Sequence, residues 1–169
     1  DRKYYDRRST EDKALALFQQ VLVLDPDGKL GTTEYGKDKV TYTEYAEYNI
    51  AAITIFAEKR NPEPMKAFIK KYPESKILEN AYSYLSSYYR FSGTKEEATA
   101  FFNEYVSKYP DNPYALNAYV ERIIRDKENI DRGIELAEKI KEIMKYNEDP
   151  YFTKNLGQLY CLKGTPEKA

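Results

Sequence analysis

The chain has 169 residues, with 27 basic and 28 acidic side chains for a formal net charge of −1, 18 tyrosines, one cysteine, and neither histidine nor tryptophan. The length suits one compact domain, and an aromatic content of 15% is too rich for a disordered chain. The missing histidine excludes imidazole acid–base chemistry, Ser-His-Asp and Cys-His pairs and histidine-containing metal sites, the lone Cys161 leaves no internal disulfide or thiolate cluster, no uncharged apolar run approaches the ~20 residues of a bilayer span, and the balanced charge argues against a dedicated nucleic-acid binder.

Taken in chain order, Ser9 or Thr10 caps a helix that carries Ala14, Leu17, Phe18, Val21 and Leu22 and stops at Pro26. Residues 27–40 form an irregular insert that admits a short hairpin. Within it, Gly31-Thr32-Thr33-Glu34-Tyr35-Gly36-Lys37-Asp38 has the Gly-x4-Gly-Lys spacing of a phosphate-binding loop, but Asp38 stands where the magnesium-binding Ser or Thr belongs. Asp25-Pro26-Asp27-Gly28 begins like a calcium loop, yet Lys29 takes a ligand place and Gly36 replaces the bidentate Glu. A helix stop and a turn account for this second stretch, and the first is not a tight turn from a buried strand into a helix, since the next helix starts only after Thr41.

Thr41-Tyr42-Thr43-Glu44 reads as a capping box opening a helix to about Lys59, and Asn61-Pro62 opens a short one to Tyr72. Ser75 caps a helix bearing Leu78, Ala81, Tyr82, Leu85, Tyr88 and Tyr89 at 3 and 4 spacing, which Gly93 ends. Thr94 with Glu97 makes a second capping box, for a helix presenting Ala98, Phe101, Phe102 and Tyr105 that Pro110 stops. Asn112-Pro113 and Asp149-Pro150 pair a cap with proline at the first helical position, and Thr165-Pro166 begins another helix. The alternating charges of Glu135–Lys145 read as a solvated helix face. The count is eight helices with a ninth beginning. Cys161, in mid-helix between Tyr160 and Leu162, reads as a half-buried packing thiol.

One phrase recurs. Phe68-Ile69-Lys70-Lys71-Tyr72-Pro73-Glu74-Ser75 is echoed by Tyr105-Val106-Ser107-Lys108-Tyr109-Pro110-Asp111-Asn112, and more weakly by Met144-Lys145-Tyr146-Asn147-Glu148-Asp149-Pro150-Tyr151. The offset is 37 residues, since 71 + 37 = 108 and 108 + 37 = 145, and Asn80 with Asn117, Pro113 with Pro150 and Tyr114 with Tyr151 keep it. Each unit reads as a pair of helices that cannot bury its apolar face alone, so neighbours must stack.

This pattern resembles the tetratricopeptide repeat. The last segment supplies Leu156-Gly157, Tyr160, Gly164 and Ala169 at the family's spacing; Ala14–Pro26 is similar to the family's second helix with its closing Asp-Pro. The Lys-Tyr-Pro phrase and the 37-residue period are similar to the longer variant of bacterial cell-envelope repeat proteins. Thr153 stands at the Trp-like position, and Ser83 and Val120 replace the Gly of Leu-Gly in the two earlier units. The resemblance implies an all-α solenoid of helical hairpins, about eight helices in an antiparallel right-handed superhelical array. It spans a single repeat domain over 1–169, with units at approximately 1–26, 41–73, 75–110, 112–147 and 149–169 and the insert at 27–40. Tyr5 falls where a first helix should end and Ala169 sits early in a second, so a piece of a longer protein is expected.

The resemblance also implies where a partner would sit, on the concave face of the first helices: Asn80, Tyr84 and Tyr88; then Tyr114, Asn117, Glu121 and Arg125; then Tyr151, Lys154 and Gln158. Asn offers both donor and acceptor to a peptide backbone, and Tyr offers apolar area with a polar tip. The same residues also read as packing between repeats, with the Asn side chains facing water. Glu121 argues against the carboxylate clamp of the chaperone-tail-binding branch. The expected function is a non-enzymatic scaffold for a protein or peptide partner, with no cofactor, no nucleic acid and no membrane span. The alternative is an accessory or docking region of a larger bacterial enzyme, for example one with a thioredoxin-like domain. RNA stacking on Tyr faces is disfavoured by the charge, and one unpaired cysteine fits bacterial cytoplasm and periplasm alike.

Overall fold

The computed structural model describes residues 7–57, 60–145 and 149–168. Tyr5, Lys59, Tyr146, Asn147, Glu148 and Ala169 lie outside the described residues. Those described form eight α-helices, one antiparallel hairpin and a terminal 3-10 turn, a predominantly helical protein. The chain packs as two compact units, Asp1–Leu85 and Ser86–Ala169, and the division falls inside the fourth helix.

The first unit begins with α1 (Arg7–Leu24). Because the helix already includes residues 7 to 10, Ser9 and Thr10 are interior and not its cap. Ala14, Phe18, Val21 and Leu22 are half-buried as expected, but Leu17 is largely exposed. Asp25 then organises the exit: its Oδ1 accepts the Lys29 and Leu30 amides at 2.7 and 3.1 Å, and its carbonyl accepts the Thr43 hydroxyl. The insert folds as the hairpin β1 (Thr32–Tyr35) and β2 (Asp38–Thr41), with Tyr35 opposite Asp38. Gly36 takes φ +61° at the first central position, as a II′ turn requires, while Lys37 keeps a negative φ. The Gly-x4-Gly-Lys stretch is therefore a pair of strands and a tight turn.

Thr41 caps α2 (Tyr42–Phe56), accepting the Glu44 amide at 3.1 Å. Glu44 does not return the bond; its carboxylate accepts the Ser75 hydroxyl instead. α2 ends at Phe56, earlier than the sequence pattern predicts. α3 (Glu63–Lys71) follows Asn61-Pro62, the Asn61 side chain accepting the Glu63 amide at 3.0 Å. Ser75 accepts the Ile77 amide at the start of α4 (Leu78–Tyr89). Val40, Ala46, Tyr48, Ala51, Ala52, Ile55, Met65, Phe68, Ile77, Leu78, Ala81, Tyr82 and Leu85 are the buried apolar side chains of this unit's core among the described residues.

In the second unit, Gly93 ends the turn after α4 at φ +74°; a Cβ there would meet the Tyr89 ring at 2.9 Å. Thr94 and Glu97 form the reciprocal capping box of α5 (Lys95–Lys108), whose buried face is Ala98, Phe101, Phe102, Tyr105 and Val106. Asn112 caps α6 (Pro113–Asp126), Lys127 and Asn129 turn the chain in left-handed conformations, and α7 (Ile130–Ile143) follows. Asp149 caps α8 (Pro150–Lys163), and Pro166–Lys168 closes the described chain as a 3-10 turn. α6 and α8 thus begin at positions 37 residues apart, each with proline first. α7 packs against both, closely enough that a Cβ on Gly133 would meet Leu159 at 2.7 Å and Ile123 at 2.9 Å. Phe102 stacks on Tyr119 with centroids 5.2 Å apart, a strong link between α5 and α6.

Candidate functional site

The sequence-predicted residues fall into two settings. In the first unit, the hairpin engages Asn80, and α2 engages Tyr84. The Asn80 amide on α4 donates to the Tyr35 hydroxyl at the end of β1. The Tyr35 ring meets Tyr45 and Tyr48 of α2 edge-on at 6.5 and 6.3 Å. Tyr84 is half-buried, edge-on to Tyr48 at 5.8 Å and tilted against Phe56 at 5.5 Å. Tyr48, 6% exposed beneath these rings, has its phenol held well above the ordinary range, first by burial and then by the neighbouring Tyr35 and Tyr84 phenols.

In the second unit, residues of α6 and α8 and of the turn after α4 converge on Glu121. Its Oε2 pairs with Arg90 at 3.1 Å. Its Oε1 accepts from the Asn117 amide at 3.3 Å and from the Tyr151 hydroxyl. That hydrogen bond, more than burial, raises the Tyr151 phenol above its usual range. Asn117 is only 3% exposed, and its Oδ1 accepts from the similarly buried Asn155 amide on α8 at 2.8 Å. Asn117 therefore joins two helices, whereas Asn80, at the equivalent sequence position, reaches the hairpin. Phe152, buried at the start of α8, is flanked edge-on by Tyr114 at 5.9 Å and Tyr151 at 5.6 Å.

Around this polar centre the side chains are open. Tyr114 is 70% and Tyr151 47% exposed. Lys154, Gln158 and Arg125 are exposed too, and Tyr88 is half-buried against Tyr89, 5.1 Å away. Positions 114, 117, 121 and 125 follow one face of α6, and 151, 154 and 158 follow one face of α8.

Sequence reasoning missed Arg90, Phe91, Asn155 and Arg122. Phe91 is 58% exposed, and the guanidinium groups of Arg90 and Arg125 each lie 5.7 Å from its centroid. Its position beside the Ser92-Gly93 stop, off the apolar row of α4, was the available signal. Asn155 is a polar residue on the Phe152–Leu159 row. Arg122, on the buried side of α6, donates to the carbonyls of Tyr89 and Ser92 at 2.6 and 2.8 Å and pairs with Asp126 at 2.6 Å. Arg125 adds a bond to the Arg90 carbonyl at 3.1 Å. Together these arginines satisfy carbonyls that the end of α4 leaves open.

Cys161 is exposed, which corrects the expected packing role. The buried row of α8 is Phe152, Asn155 and Leu159, and Cys161 lies off it, seven residues beyond Lys154 and so on that residue's side of the helix. Among the described residues no three acidic or cysteine side chains are grouped to hold a metal ion, and no helix is long and apolar enough to cross a membrane. A cavity of about 610 Å³ lies between the end of α7 and the start of α8, lined by Ile140, Met144, Phe152 and Leu156 with Lys141 and Asp149 at its polar parts. No family model, curated protein or solved structure matches this chain.

Proposed function

We propose that this chain is a tetratricopeptide-like scaffold, non-enzymatic, that holds a protein or peptide partner on the face shared by α6 and α8. The finer architecture in this reading is a right-handed array of antiparallel helical hairpins, with that face as part of its concave wall. The observation that carries the reading is the open Tyr114 and Tyr151 beside Arg125, Lys154 and Gln158. Exposed Tyr and Arg above a fixed polar centre match the composition of protein interfaces, where such side chains bring contact area at modest entropic loss. Glu121, Asn117 and Asn155 hold the two helices in register, so the surface is formed before a partner arrives.

Cys161 is the natural handle for the test. As the only thiol, it takes a photo-reactive maleimide on the Lys154 side of α8. Irradiation in an extract of the source cells, followed by mass spectrometry, is expected to yield a discrete adduct, and replacing Tyr114 and Tyr151 together with Ala is expected to abolish it. An adduct of unchanged yield in that double variant would refute the interaction face. Small-angle scattering checks the architecture, since stacked hairpins give an elongated particle with a larger radius of gyration than a globule of this length.

A further inference from the structure

The charges on the α6 and α8 face point to the chemistry of the occupant. Among the described residues, Glu121 is the one carboxylate at its centre, and it is engaged by Arg90, Asn117 and Tyr151. The other nearby acids on α6 and in the turn after it are also engaged: Asp126 with Arg122 and Glu128 with Lys95. The cations are not balanced in the same way. Arg125 spends one bond on a backbone carbonyl and has no carboxylate partner among the described residues. Lys154 is exposed and likewise has none. Arg90 offsets Glu121, but its Nε is buried without a hydrogen-bond acceptor. A chain of net charge −1 thus keeps uncompensated positive charge on the face that carries the exposed rings of Tyr114 and Tyr151. Phe91, lying against two guanidiniums, offers an apolar contact bordered by positive charge.

Resting on the scaffold reading above, we infer that this face takes an acidic, aromatic-bearing segment of a partner protein. Its carboxylates meet Arg125 and Lys154, and its apolar side chains lie against Phe91 beside Arg125 and against Tyr114 and Tyr151 at the helix starts. Guanidinium–carboxylate pairing supplies orientation and arrival rate, and the rings supply most of the contact area. Glu121 does not oppose this, because its charge is already paired with Arg90.

The test uses a fluorescent synthetic peptide mixing glutamate and tyrosine, with glutamine–tyrosine and lysine–tyrosine peptides of equal length. Anisotropy is expected to show saturable binding of the glutamate peptide that weakens as salt rises, with the other two at least about tenfold weaker. The double reversal Arg125→Glu with Lys154→Glu is expected to lower affinity by about tenfold or more, while Lys37→Glu on the hairpin leaves it unchanged. Circular dichroism of each variant confirms the fold. Equal binding of all three peptides, no binding of the glutamate peptide, or an unmoved affinity in the double reversal would each overturn the assignment. If the Cys161 adduct still forms and still depends on the tyrosines, the scaffold reading survives and only the partner's acidity falls. If the adduct is lost as well, both fall.

Discussion

The two units use tyrosine in opposite ways. In the first, the hairpin lays Tyr35 over Tyr45 and Tyr48 and ties it to Asn80, and Tyr48 is buried under rings of its own unit. In the second, no hairpin intervenes, and Tyr114, Tyr151 and Phe91 stay exposed above a polar centre. The equivalent positions 80 and 117 thus take different partners: Asn80, exposed, bonds to the hairpin, and Asn117, buried, bonds to α8. Equivalent sequence positions therefore do not have equivalent accessibility.

The largest separation between the units is expected at alkaline pH. The Tyr48 phenol is raised by burial, and an unfolded tyrosine ionises near pH 10. A group whose folded pKa lies above its unfolded one stabilises the fold fully below about pH 10 and loses that contribution as pH rises further. Phenolate absorbance should rise in two phases, the later one coinciding with loss of helical circular dichroism. Tyr48→Phe should move that later phase to higher pH, and an unmoved midpoint would show that the covered cluster does not limit alkaline stability.

Next comes the second unit's own buried charge. Arg122→Ala strips Asp126 and two carbonyls of their partner, a loss of about 3–5 kcal/mol for one member of a buried pair. Urea unfolding gives the magnitude, and hydrogen exchange should place the loss at the end of α4 and in α6, leaving amides of α2 protected. Nothing in the sequence announced this. Caps were legible because a cap is local: Thr94 with Glu97, Asn112 and Asp149 each find their donors within three residues. Arg122 finds acceptors some thirty residues back, and Asn117 pairs with Asn155, at an offset of 38 where the repeat runs at 37. Cys161 misled for a related reason, since its apolar neighbours in sequence, Tyr160 and Leu162, lie off the buried row of α8 as well. The period located the faces; which side chains were free on them depended on partners that no local pattern specifies.

A smaller effect should come from crowding the helix crossing in the second unit. Gly133→Val would force branched atoms against Leu159 and Ile123, costing about 2 kcal/mol, read from the urea midpoint. A neutral result would mean that α7 can move off its neighbours. In the first unit, Tyr35→Phe keeps the ring and removes the bond from Asn80, so about 1 kcal/mol or less should be lost. Faster hydrogen exchange confined to residues 32–41 would show that this bond holds the hairpin over the tyrosine cluster. Unchanged exchange would assign the cover to ring packing alone.

The smallest effect on stability should come from the residue that matters most to the proposed function. Tyr114 is 70% exposed and meets the buried Phe152 ring edge-on. Tyr114→Ala should therefore shift the folding free energy by no more than about 0.5 kcal/mol. A ring that contributes so little to the fold, held beside Tyr151 on a preformed surface, is free to contribute to something else. Its loss should lower the yield of the Cys161 adduct while the urea midpoint stays in place. If instead the midpoint falls by several times that amount, Tyr114 belongs to the packing of the second unit, and the contrast between the buried Tyr48 of the first unit and an open Tyr114 in the second no longer holds.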